Sequence, residues 1–114
     1  MKNVGLAVLF FKLREMLEIY ASNMRVTINE EGYYRLYTPT NRPFMAICVQ
    51  RKHVGIYVMP LCEDQNLIGN LEPKRIGKGT LGFVSDEDPL LVEVPSFIER
   101  CYQHCIHYGQ VPME

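Results

Sequence analysis

The sequence predicts a single α+β domain over residues 1–114, built on a four- to five-stranded antiparallel sheet flanked by N-terminal and C-terminal helices. Three observations predict it. Apolar residues recur at helical spacing near both ends of the chain. Short β-rich runs bounded by turn signals fill the middle. At the centre, Phe44–Val49 and Val54–Met59 read as the two strands of an apolar hairpin.

Leu6, Leu9, Phe10, Leu13, Leu17 and Tyr20 define the first helix, over about residues 5–21, with Lys12, Arg14, Glu15 and Glu18 mostly opposite. Ser22-Asn23 ends it. MRVTI alternates as a first strand, with Arg25 and Thr27 on one face and Val26 and Ile28 on the other. Asn29 to Gly32 is a turn signal, and Tyr33–Tyr37 is a β-rich run closed by Pro39 and Pro43. Gln50-Arg51-Lys52-His53 joins the hairpin strands, and Pro60 stops the second of them. Cys62–Glu72 reads as a helical turn or an ordered loop, and Thr80–Val84 as the last strand. Leu90–Val94 either extends from the sheet or leads into the helix. Pro95 suits a first helical position, where its missing N–H leaves nothing unsatisfied. The last helix runs from Ser96 to about Tyr108, with Val94, Phe97, Ile98, Cys101, Cys105 and Tyr108 on one face. Gly109 stops it, and the tail QVPME is expected to be loose.

Both faces of the Phe44–Val49 strand are apolar: Met45, Ile47 and Val49 alternate with Phe44, Ala46 and Cys48. Two helices cover one face of such a sheet. The second face therefore asks for a partner, and a homodimer would supply one.

The charge balance argues against a dedicated nucleic-acid binder, since 12 basic and 13 acidic residues leave a net charge of −1. No run reaches the roughly 20 apolar residues that span a bilayer. The apolar opening VGLAVLFF soon meets Lys12, Arg14 and Glu15, without a small-residue cleavage site. The expected location is cytoplasmic, with no membrane contact. Cys48, Cys62, Cys101 and Cys105 are then reduced thiols.

The succession RPFMAICVQRKHVGIYVMPL, EPKRIGKGTLGFV and a terminal helix ending in FIERCYQHC resembles the YdhG-like domains of unknown function. Tyr57-Val58-Met59-Pro60 is similar to that family's Tyr/Phe-x-Met-Pro stretch. Gly77-Lys78-Gly79-Thr80-Leu81-Gly82-Phe83 is similar to its Gly-Lys-Gly/Ser-x-x-x-Phe stretch, and LFFKLREMLEIYA to its first helix. The resemblance covers about Leu9 to Cys105. It implies a small α+β domain with an antiparallel sheet flanked by helices, and no established activity. Distant relatives of that family are linked to iron handling in a frataxin-like role. In this chain the first helix carries only Glu15 and Glu18 as acids.

Four groups of residues could carry chemistry. Pro73 to Gly79 gathers Lys74, Arg75 and Lys78 beside two glycines, a composition that lets backbone amides approach an anion. The plainer reading is a turn into a strand with solvated cations; the Gly-Lys-Ser/Thr ending of a phosphate-binding loop is absent. Tyr33, Tyr34, Tyr37, Phe44 and Tyr57 could line a cleft if some share a face, or could be ordinary core and interface aromatics. Cys101, His104 and Cys105 stand at i, i+3 and i+4, where soft ligands could converge on a metal. The two cysteines also fit the apolar stripe. The carboxylate pairs and the serines sit in loops and at element ends, and point to no acid–base pair or nucleophile.

These readings converge on a non-enzymatic module that binds a small anionic or amphipathic ligand. Tyr34 and Tyr57 would line its pocket and Lys78 would supply the counter-charge; no catalytic residue and no cofactor is assigned. The alternative is an iron- or zinc-handling protein, and a third reading is a structural domain that makes a protein complex.

Overall fold

The computed structural model describes residues 3–112. In chain order its elements are α1 (Val4–Glu18), β1 (Arg25–Glu30), β2 (Tyr33–Tyr37), β3 (Pro43–Val49), β4 (Val54–Val58), α2 (Met59–Glu63), β5 (Arg75–Gly77), β6 (Thr80–Phe83) and α3 (Val94–His107). Short 3-10 segments span Ala21–Asn23, Gln65–Lys74 and Pro89–Glu93. The six strands form one antiparallel sheet in the order β1-β2-β3-β4-β6-β5.

The sheet thus has six strands where the sequence predicted four to five. The additional strand is β5, three residues long, inside the glycine-and-lysine segment read as a loop. A strand this short carries no alternation to detect.

α1 starts at Asn3, whose side-chain Oδ1 accepts the Leu6 N–H at 3.0 Å and satisfies one of the helix's free donors. Leu6, Leu9, Phe10, Leu13 and Leu17 are buried at the predicted helical spacing. The helix ends at Glu18, short of the expected residue 21, and Tyr20 is held near the core by the Ala21–Asn23 turn. α1 lies across β3 and β4, and α3 packs beside it. Pro89–Glu93 resolves the ambiguous Leu90 segment as a 3-10 turn that leads into α3. Gly109 has φ 73°, and its N–H donates to Ile106 O while the Gln110 N–H donates to Cys105 O. That is a Schellman stop, which requires the left-handed conformation glycine tolerates.

Two expectations about packing need correction. The tail is anchored at Val111, which is buried, so the loose reading fails at that residue; Met113 and Glu114 lie outside the described residues. The second face of β3 is apolar, but it lacks the large Phe44 side chain that the sequence placed there. Pairing slips so that Leu36 faces Met45 while Tyr37 faces Pro43, leaving Phe44 as a bulge. Phe44 and Met45 both belong to the helix-covered core. Only Ala46 and Cys48 remain on the other face of β3.

Candidate functional site

The register of the sheet fixes what its helix-free face presents. Arg35, Ala46, Tyr57 and Thr80 pair in one row across four strands. Tyr33, Cys48, Gly55 and Gly82 form the next row. Ala46 in the first row and Cys48 in the second are small, and leave a depression between the side chains of Tyr33 and Arg35 on β2 and that of Tyr57 on β4. The result is a groove of about 510 Å³, with Tyr33, Arg35 and Tyr37 on one wall and Tyr57, Met59 and Cys62 on the other. Ala46 and Cys48 form its floor. The walls stand two strand spacings apart, about 10 Å.

Among the described residues Arg35 is the only charged one that lines this groove. Its guanidinium lies over the Tyr37 ring, 4.8 Å from the centroid. Its Nε donates to Thr27 Oγ1 at 2.8 Å. Thr27 reaches it because β1 bulges there: Val26 pairs with Leu36 and Ile28 with Arg35, so Thr27 is the inserted residue. The bulge also corrects the predicted alternation of β1, since Ile28 now shares the face of Arg35. No ion pair engages Arg35 among the described residues, and its two Nη groups have no hydrogen-bond partner there.

The other wall is held as firmly. The Tyr57 ring leans back over Gly55, and its hydroxyl accepts from Gln50 Nε2 at 2.9 Å. Tyr57 is 41% exposed, the most exposed aromatic of the groove lining. Cys48 sits on the floor, where burial pushes its thiol up from the ordinary value and keeps it a neutral, weakly reactive group.

The predicted site residues separate in space. Tyr57 is in the groove. Tyr34 is on the opposite face, 2% exposed, in the row with Ile47 and Ile56 and beneath the Arg14 guanidinium at 5.1 Å. Successive strand residues point to opposite faces, so Tyr33 takes the place in the groove that the sequence reading gave to Tyr34. Lys78 is exposed in the β5–β6 turn and does not line the groove.

The Gly-Lys-Gly segment is explained by packing. Lys74 pairs with Asp88 and lies 5.4 Å from the Phe83 ring centroid. Arg75 donates to Glu72 Oε2, Gln65 Oε1 and the Lys78 carbonyl at 3.0, 2.6 and 2.7 Å. Gly79 is needed because a Cβ there would stand 2.9 Å from the Val58 carbonyl oxygen and would overlap Cys62 Sγ.

The helical cysteine–histidine set does not converge. Cys101 and Cys105 point into the core, where burial pushes both thiols up, Cys105 to about 12. His104 turns the other way, with Nε2 3.1 Å from Glu63 Oε1. Arg42 holds the second oxygen of Glu63 at 3.3 Å. Among the described residues no group of three or more His, Cys, Asp and Glu is placed to hold a metal ion. All four cysteines are free thiols. No described helix is long and apolar enough to cross a membrane.

Arg35 is the residue that sequence reasoning missed. The signal was present in Tyr33-Tyr34-Arg35-Leu36-Tyr37, where alternation alone puts Tyr33, Arg35 and Tyr37 on one face. Compared with protein-family models, curated proteins and solved structures, the chain matches none.

Proposed function

We propose that this protein is a small-ligand-binding module whose site is the groove on the helix-free face of the sheet. The observation that carries the reading is the cross-strand pattern itself. Ala46 and Cys48 make a low floor between tyrosine walls, and both walls are braced by their own contacts: Arg35 by Thr27, Tyr57 by Gln50. A concave, mostly apolar surface with a few fixed polar groups is what a small organic molecule needs. Tyr33, Tyr37 and Tyr57 offer ring faces and hydroxyls without large motion on binding, so little ordering entropy opposes association.

Anilinonaphthalene sulfonate tests this directly, because its fluorescence rises in apolar surroundings. Saturable binding to the folded protein is expected. Ala46→Trp, which fills the floor, is expected to abolish it while the circular dichroism spectrum is unchanged. Equal fluorescence from both proteins would place the dye elsewhere and remove the groove from consideration.

A further inference from the structure

We infer that the groove selects a singly charged planar carboxylate attached to an aromatic body, and that Arg35 is the residue that determines this choice. The inference rests on the groove being a ligand site and adds the chemistry of the ligand.

The Arg35 guanidinium carries a fixed positive charge and five N–H donors in one plane. Thr27 occupies the Nε donor, so the edge shared by Nε and one Nη is closed to a ligand. The end-on edge, formed by the two Nη groups, is open. Its paired donors match the two oxygens of one carboxylate. Tyr37, packed against the plane, fixes its orientation. Among the described residues no carboxylate lines the groove to compete for the charge.

Charge balance sets the rest. One cation in an otherwise neutral, largely apolar groove is neutralised by one negative charge. A phosphate monoester carries closer to two and would leave charge uncompensated against apolar walls. The ligand's body meets Ala46, Cys48 and the rings of Tyr33 and Tyr57. A flat aromatic system offers the most contact there, through stacking on tyrosine faces.

The test is an NMR titration of the folded protein with naphthoate, its neutral isostere naphthamide, and naphthyl phosphate, reading the amides of Cys48 and Gly55. Naphthoate is expected to bind at least about tenfold tighter than naphthamide, the scale of one charge-assisted hydrogen bond. Arg35→Gln is expected to erase that preference and to leave naphthamide binding intact. Arg35→Lys keeps the charge but loses the paired donors, and is expected to retain only part of the preference. Equal binding of naphthoate and naphthamide would overturn the carboxylate assignment and leave the groove reading standing. Naphthyl phosphate binding as tightly as naphthoate would overturn the single-charge argument. A preference that survives in Arg35→Gln would remove Arg35. Shifts that follow protein concentration, and none of the three compounds, would show a second copy of the chain in the groove and sink the groove reading along with the inference.

Discussion

Thr27 holds the Nε of Arg35 at 2.8 Å from a position that exists only because β1 contains one residue more than its partner strand requires. The same hydroxyl lies 3.4 Å from the Arg35 carbonyl oxygen, so both ends of this arginine meet one threonine. Thr27→Val keeps the shape and the strand preference but removes the acceptor. Stability should fall by no more than about 1 kcal/mol, the worth of one half-exposed hydrogen bond. Naphthoate affinity should fall several-fold, because the guanidinium is no longer held. A calorimetric titration beside a urea melt checks both parts. Unchanged affinity would mean that the Tyr37 ring alone orients Arg35.

Gly79 is required by close approach. Gly79→Ala should destabilise the domain by about 1–3 kcal/mol, the usual cost of forcing a methyl group into packed surroundings. The obstacles are the Val58 carbonyl oxygen and Cys62 Sγ. Cys62→Ala removes only the second, so the double variant should recover part of the loss. A double-mutant cycle by urea denaturation measures the coupling. Additive losses would show that Cys62 is no obstacle.

Phe44 tests the bulge in β3. It is fully buried with Leu36, Met45 and the α1 side chains, although simple alternation puts it on the groove face. Phe44→Ala should cost about 3–5 kcal/mol, as expected for a large core residue. Were Phe44 to project from the groove face, as simple alternation has it, the same change would cost far less, and the thermal midpoint decides between these.

The acid limb of stability follows from two carboxylates. Burial pushes Asp88 up, but its hydrogen bond to Lys74, the Leu90 N–H and the nearby ammonium charge together hold it below the ordinary value. Gln103 and Tyr20 hold Glu99 low by hydrogen bonds of 2.7 and 2.6 Å. A carboxylate held low in the folded state contributes stability above its unfolded value, and that contribution is lost as pH falls through the folded one. The melting temperature should therefore drop below about pH 4, where free carboxylates protonate. Asp88→Ala should flatten that drop. A variant whose acid limb matches the parent would remove Asp88 as a cause.

The helices and the central hairpin were legible because their signals are periodic and long. Leu6 to Leu17 repeats through three turns, and the stripe from Val94 to Cys105 is buried as predicted. Tyr108 was placed on that stripe but is 64% exposed, since the Schellman stop turns the chain there. The candidate site was half legible. Tyr57 could be found from its strand, but choosing Tyr33 over Tyr34 required knowing which face the helices cover. Both bulges were invisible, because each is decided by pairing with a neighbour strand and leaves no mark in composition. Lys78 drew attention as a cation among glycines, whereas Gly79 answers to Val58 and Cys62.

The bulge at Thr27 has a second consequence, for solubility. β1 and β5 are the free edges of the sheet, and an open edge is a template on which other chains can pair. β5 limits that risk by being three residues long. β1 limits it through the extra residue, which twists the edge, and through the exposed charges of Arg25 and Glu30. Deleting Thr27 would straighten this edge and release Arg35 in one step. A chain shortened in that way is expected to lose its preference for naphthoate and to begin to self-associate along the sheet, so an aggregation assay reports on the same residue as a binding assay.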